Sequence, residues 1–326
     1  MISYEFSNTF NQFGFVSTAV SNSLFVYLTL FHIRKITGNY RIMVIVFAIL
    51  GIVFSSWELV ARPFAHNYNK ALVYFSLNEW LQAYQEFLKF AIILYASFYL
   101  VILSDIAVQF TYRYFALYKP HLSNMYGGFG IIVWASYSLI SGAIYGGSMY
   151  YFCPPDSYSD QYSKEVIEDV YHRNITDIPR FLVVPYAADG SVRWSNLYFL
   201  ISAFLVVGLQ YTIIIYCGVR MNNILQKEFS QRSIINRKLQ SQFFRALVVQ
   251  TIVPTFLFVL PIAPFLIGPL VIPYVGISLN FQTGWMYVIL SVYPPIDTIA
   301  FMVIVSEYAH AIQGNPQNIP NFEYIE

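Results

Sequence analysis

Apolar residues in this chain gather into seven long runs, at residues 10–33, 42–61, 87–110, 126–150, 195–219, 246–270 and 285–305, with polar gaps between them. A helix rising 1.5 Å per residue needs about 20 apolar residues to cross a hydrocarbon core, and each run meets that length. The pattern predicts an all-α membrane protein, a bundle of seven transmembrane helices. No internal repeat, low-complexity tract or linker divides it, so residues 1–326 are expected to form a single domain.

The gaps differ in charge. Asp156, Asp160, Glu165, Glu168, Asp169, Asp177 and Asp189 crowd residues 151–194, whereas Arg220, Lys227, Arg232, Arg237, Lys238 and Arg245 crowd residues 220–245 beside the single acid Glu228. Gaps on the N-terminal side hold 6 Lys and Arg, four of them in the acidic loop, and gaps on the other side hold 11. Cytoplasmic loops carry the excess of Lys and Arg. The expected orientation therefore puts the N-terminus outside and the C-terminus inside. Residues 151–194 become a long acidic extracellular loop, 220–245 a basic cytoplasmic loop, and 306–326 a short cytoplasmic tail.

Composition agrees. The chain is 57% hydrophobic and 19% aromatic but only 11% charged, whereas soluble domains carry about 25% charged residues. Net charge is +1, and no basic patch carries base-contacting motifs, which argues against nucleic acid as a partner. Residues Met1–Asn11 carry one charge, Glu5, and the run that follows is too long for a signal-peptide core, so it is read as a retained span. Cys153 and Cys217 sit at opposite ends of a span, about 30 Å apart, beyond disulfide reach. Asn174-Ile175-Thr176 is a glycosylation sequon in the acidic loop. Five histidines are divided between the two faces, and no nucleophile elbow, Walker loop or zinc motif is present, so no enzyme activity, metal or cofactor is expected.

Several residues inside the runs carry candidate chemistry. Arg113 stands at the end of the third run amid Tyr112, Tyr114 and Tyr118, which suits either an interfacial anchor or a switch. Pro254, Pro261 and Pro264 break the sixth run, as a static kink or as a hinge centred on Pro261. Glu58 and Arg62, and likewise Glu86 and Lys89, are spaced for local ion pairs. Asp105 lies deep in the third run and is expected to form a buried polar node, bonded to Ser55 or Ser56, or to Asp297 if one acid is protonated. Tyr95 and Tyr99 precede Arg113 by 18 and 14 residues, about 27 and 21 Å along one helix face. That depth suits a ligand cavity, to which Phe98, Phe204, Phe256, Phe258 and Trp285 add apolar lining. Ser138, Gly142 and Gly146 form a small-residue stripe for close packing within the bundle, with homodimer formation as the other reading.

Three of these segments together resemble the Str family of nematode serpentine chemoreceptors. They are Tyr112-Arg113-Tyr114, the stretch Ser230–Gln242 leading through Phe243-Phe244-Arg245-Ala246-Leu247 to Gln250-Thr251-Ile252-Val253-Pro254, and Tyr293-Pro294-Pro295-Ile296-Asp297. The resemblance covers nearly the whole chain and implies a GPCR-like bundle. It implies a G-protein-coupled chemoreceptor of sensory neurons that answers to a small odorant or pheromone-like molecule. By the same resemblance, Arg113 matches the arginine that holds the resting state and meets the G protein, and Pro294 and Pro295 match a proline switch in the seventh helix. Two departures stand out. Thr111 and Tyr112 occupy the place of the acid that rhodopsin-like receptors put before this arginine, and no cysteine marks the outer end of the third helix.

The expected function is an olfactory or chemosensory receptor in the plasma membrane, in the cilium of a chemosensory neuron. A ligand in the outer half would displace the inner ends of the fifth and sixth helices. A heterotrimeric G protein would then dock on Arg113, Tyr114 and the basic face that includes Arg237 and Lys238. Desensitisation would use Ser230, Ser233 or Ser241, because the tail after Ser306 has no Ser or Thr. The alternatives are a ligand-gated ion channel, whose orientation would be reversed, and a small-solute transporter, for which internal repeats or paired broken helices are expected.

Overall fold

The computed structural model describes residues 4–33, 36, 38–227 and 234–312. Six helices are long and apolar enough to cross a membrane: α1 (Tyr4–Phe31), α2 (Gly38–Ala61), α3 (Gln85–Tyr118), α5 (Phe129–Phe152), α7 (Trp194–Lys227) and α10 (Gly284–Ile304). Short α4 (Pro120–Ser123) follows α3, and α11 (Ser306–Ile312) follows α10.

The sixth apolar run is not one helix. It enters as α8 (Ile234–Pro254), widens into a π-turn at Thr255–Val259, and leaves as α9 (Leu260–Val275). Pro254 and Pro261 bracket the π-turn, and neither has the N–H that an α-ladder would use; a proline ring inside a regular helix also crowds the carbonyl four residues back. Widening the ladder between them relieves both defects. Other expected bounds shift as well. The first helix begins at Tyr4 instead of residue 10, the fourth begins at Phe129 after Gly128 (φ +55°), and α3 and α7 each run for 34 residues.

α3 is the axis. In its most apolar stretch 78% of residues are buried, against at most 56% in the other five apolar helices. It packs on α2, α5, α7 and α8, while α1 packs on α2 and α10. The predicted small-residue stripe closes the α3–α5 seam. A Cβ on Gly142 would lie 2.6 Å from Val101 Cγ2 and 2.9 Å from the Ser97 carbonyl, and one on Gly146 would lie 2.1 Å from Ser97 Oγ. The stripe is therefore covered by the bundle itself. Cys153 and Cys217 are both free and buried.

Sequence reasoning missed the cap over one end of the bundle. The hairpin β1 (Pro63–Tyr68) and β2 (Ala71–Ser76) turns through Asn69 at φ +48°; β3 (Arg180–Val183) and β4 (Asn280–Gln282) complete an antiparallel sheet in the order β3-β2-β1-β4. Three separate connections thus meet in one sheet. The acidic segment 151–194 supplies β3 and also α6 (Ser157–Tyr171), whose N-terminus is closed by a capping box between Asp156 and Ser159. Arg180, buried on β3, grips Asp160 of α6 with two bonds of 2.7 and 2.6 Å. Bidentate pairing of this kind fixes orientation as well as charge. Asn196 on α7 accepts from the Val184 N–H and donates to the Phe152 carbonyl, which ties the segment to the helices below.

His66 locks the cap at its centre. Asn280 Oδ1, 2.9 Å away, can only accept, so Nε2 carries the proton and Nδ1 accepts from the Tyr171 hydroxyl at 3.0 Å. The ring therefore joins β1, β4 and α6 as a neutral group, and burial pushes its pKa from the ordinary 6.5 down to about 4.

Two outcomes follow from this architecture. Gly142→Val should destabilise the bundle by about 1–3 kcal/mol, read as a lower unfolding midpoint of the purified protein. Gly147→Ala, at a position with open space, should leave the midpoint unchanged or slightly raised. For His66 the folded pKa lies below the unfolded one, so its contribution is fully present above pH 6.5 and is lost as pH falls toward 4. The protection factors of β1 and β4 amides against hydrogen exchange should fall across that window, at a cost on the order of 3 kcal/mol. The His66→Phe variant should show no such pH step.

Candidate functional site

The cap end of α3 carries a cluster of aromatic rings around one acid. Tyr95 and Tyr99 are one turn apart and share a face, as the spacing predicted. Tyr95 donates to Glu58 Oε1 at 2.9 Å, and Tyr99 donates to the Tyr95 oxygen at 3.3 Å. Phe54 of α2 stacks on Tyr95 with centroids 5.0 Å apart, and meets Phe98 and Tyr99 edge-on at 6.3 and 5.5 Å. Tyr287 of α10 closes the group 6.5 Å from Tyr95, and Phe64 of the cap stacks on Tyr287. Tyr74 of β2 reaches down to the Ile92 carbonyl. The sheet and the cluster are thus one packed unit.

The expected Glu58–Arg62 pair does not form. Arg62 follows the last residue of α2 with φ +38° and turns its guanidinium over the Trp80 ring at 4.4 Å. Glu58 stays behind, 1% exposed, with Oε2 unpartnered. The Glu86–Lys89 pair does form, at 2.7 Å. Phe204 and Phe256 are corrections too. They are 77% and 64% exposed, turned away from the bundle interior, and line no cavity within it. Trp285 is half-buried near the start of α10, and the side chain of Phe258 lies outside the described residues. Glu58, Phe54 and Tyr287 were missed as members. Tyr287 stands two residues after Trp285, and a helical reading of that run would have turned one inward when the other is not.

At mid-depth lies a second polar group, with different partners from those expected. Asp105 accepts from its own-helix neighbour Gln109 at 3.0 Å, and Asp297 accepts from Gln250 of α8 at 2.9 Å. Ser55 instead donates to Thr18 and Ser56 to the Ile52 carbonyl. Pro294 and Pro295, one turn before, are buried in α10. Gly51 of α2 makes room for Asn22 of α1, since a Cβ there would lie 2.7 Å from Asn22 Nδ2, and it sits at ordinary contact distance from Pro294.

At the far end of α3, Arg113 is 6% exposed and forms no ion pair among the described residues. Its guanidinium carbon lies 3.3 Å over the Tyr40 ring of α2 and 4.0 Å over the Phe243 ring of α8, and Nη1 donates to Gln240 Oε1 at 3.3 Å. Tyr112 stacks behind Tyr40. A desolvated cation between two aromatic faces is held by about 2 kcal/mol or more. Tyr114 points elsewhere, stacking on Tyr118 and meeting Tyr216 of α7. The side chains of Arg237, Lys238 and Pro261 lie outside the described residues, as do Ser230 and Ser233. Asn174 is exposed at the start of a short turn, with its amide donating to Asp177. Among the described residues no group of three His, Cys, Asp or Glu side chains is placed to hold a metal.

Comparison with known proteins accounts for this arrangement. Residues 7–313 match the family model for the serpentine type 7TM GPCR chemoreceptor Str. The chain is 34% identical over 314 residues to the G-protein coupled receptor str-33 of Caenorhabditis elegans, covering 94% of this chain and 90% of that protein. It is 24% identical to serpentine receptor class r-10 of the same organism, over 85% of this chain and 81% of that protein. The Caenorhabditis briggsae receptor of that name is also 24% identical, over 92% of this chain and 87% of its own length. A membrane protein with six spanning-length helices, a seventh apolar run bent by proline and an arginine buried at the end of its central helix, this chain belongs to the Str family of serpentine G-protein-coupled chemoreceptors.

Proposed function

We propose that the chain crosses the membrane seven times, with α8, the π-turn and α9 as the sixth crossing, and that the capped end faces outside. The excess of Lys and Arg on the opposite side supports this orientation, as does the exposed sequon at Asn174 within the cap. In this reading the protein sits in the plasma membrane of a chemosensory cell, in its cilium. A small, largely apolar odorant or pheromone-like ligand enters beneath the sheet and contacts Tyr95, Tyr99 and Phe98, with Trp285 at the rim. The cluster suits such a ligand because it offers many ring faces and few polar groups.

The Arg113 clamp is the observation that carries the mechanism. It joins α2, α3 and α8 without an acid, so the resting bundle is held by ring faces in place of an ion pair. Ligand binding at the cap end biases the bent sixth crossing, with the π-turn and Pro261 as its hinge and Pro294 and Pro295 as the matching bend in α10. Withdrawal of Phe243 and Gln240 frees Arg113. The heterotrimeric G protein then docks on Arg113, Tyr114 and the basic 220–245 segment, Arg237 and Lys238 included. The coupling is a population shift, set by the ligand's differential affinity for the two states.

Nucleotide exchange on a co-reconstituted G protein tests this. Tyr40→Leu opens the clamp but keeps Arg113, and should raise ligand-independent exchange roughly tenfold for a loss of about 1.4 kcal/mol. Arg113→Ala should abolish ligand-stimulated exchange at unchanged surface expression. Equal exchange by wild type and Arg113→Ala would remove the arginine from the mechanism. On intact cells, Asn174→Gln should eliminate a glycosidase-sensitive mass shift, and a protein without that shift would count against the outward-facing cap.

A further inference from the structure

Beneath the sheet, the last turn of α2 holds an acid without a countercharge. Glu58 is buried and takes part in no ion pair among the described residues. Arg62, the cation that helical spacing offers it, leaves the helix at φ +38° and lies over Trp80 instead. Lys89 is taken by Glu86, and Lys70 donates to the Ala187 carbonyl. Of the two carboxylate oxygens, Oε1 accepts from Tyr95 and Oε2 has no partner. A buried carboxylate is costly unless both a countercharge and a hydrogen-bond donor reach it.

The surroundings of the acid narrow what can reach it. Phe54 stacks on Tyr95, Tyr287 stands 6.5 Å from Tyr95, and Phe64 of the cap stacks on Tyr287. A proton on Oε2 removes the charge but creates a hydroxyl that needs an acceptor, and no polar atom lies within bonding distance of that oxygen. A buried water needs about three polar partners, which ring faces do not supply. An organic cation differs from both, because its N–H groups meet the oxygen while the ring faces attract its charge. The approach favours the same sign. Residues 151–194, which supply β3 and α6 to the cap, carry seven acids against four bases, and a surplus of one sign along the entry raises the local concentration of the other.

We propose that the ligand is a small protonated amine with an apolar body, and that Glu58 Oε2 receives its head group. This rests on the ligand site proposed above, beneath the sheet, and names the chemistry that the site selects. The ammonium donates one N–H to Glu58 Oε2 and a second to the Tyr95 oxygen, where it takes the place of the Tyr99 hydroxyl. The displaced bond, at 3.3 Å, is longer than the 2.9 Å bond from Tyr95 to the acid. Half-buried Tyr99 is thus the ring that swings to admit the ligand. The methylenes next to the nitrogen rest on Phe54 and Tyr287. A neutral alcohol of the same skeleton fills the same ring faces and donates one bond, but it leaves the carboxylate without a countercharge.

The full-length receptor in lipid nanodiscs is unfolded thermally at neutral pH with phenethylamine or hexylamine, and with the matching alcohols, phenethyl alcohol and hexanol. The amines should raise the midpoint saturably, at half-saturating concentrations at least about tenfold below those of their alcohols. Glu58→Gln keeps the shape and an acceptor for Tyr95 but removes the charge, and should erase that preference. Should this variant fail to fold, Tyr99→Phe supplies the second reading. It leaves the Tyr95 oxygen open and should lower the half-saturating amine concentration roughly threefold. Amines and alcohols acting alike, an amine preference that survives Glu58→Gln, or no saturable shift with either amine would each overturn the ammonium site. A saturable shift with the alcohols alone would overturn it too, yet would leave the ligand site beneath the sheet standing for neutral odorants.

Discussion

A stretch of helix enclosed by other helices has no route by which its polar groups can reach water, and most of α3 is in that position. Every polar atom it carries must find its partner inside the bundle, or have one brought to it. That constraint organises the molecule along a single line. Near the cap Tyr95 bonds Glu58; at mid-depth Asp105 bonds Gln109; at the far end Arg113 lies between two rings. Gln109 lies on α3 itself, but Glu58 and Tyr40 come from α2 and Phe243 and Gln240 from α8, so the contacts that satisfy the two ends of α3 also fix where α2 and α8 stand against it.

The Arg113 clamp follows from what the chain lacks. With Thr111 and Tyr112 before the arginine there is no local acid, and the guanidinium turns to the planar faces of Tyr40 and Phe243. A contact of this type weakens less with salt than an exposed ion pair would. The strength of this contact is set by ring packing, which responds to small displacements of α8 because the attraction falls away within a few ångströms.

The helices were legible in the sequence because apolar length is a direct consequence of bilayer thickness. The role of Gly142 and Gly146 was legible for a similar reason, since only small residues let two backbones approach. The cap was not. Its strands are short, come from three distant connections, and pair only because the helices bring those connections to one place; β4 has three residues. Glu58 was misread because helical spacing to Arg62 holds only while the helix continues, and it stops at Ala61 with a left-handed turn at the arginine. Asp105 and Asp297 are both buried, but their glutamine partners depend on helix rotation, which hydrophobicity alone does not encode. Phe204 and Phe256 failed for the same reason: in an apolar run every face looks alike, so a ring bound for lipid cannot be told from one bound for the interior.

The widened turn between Pro254 and Pro261 has an effect beyond bending. One surplus residue in the ladder advances the helix by about 100° relative to an uninterrupted rod. Side chains before and after it are therefore out of the phase that a regular helix would give them. Twist applied to the upper half is taken up in this loosened segment before it reaches the lower half. The geometry of this proline-broken run suits it to pass on a tilt and to absorb a rotation.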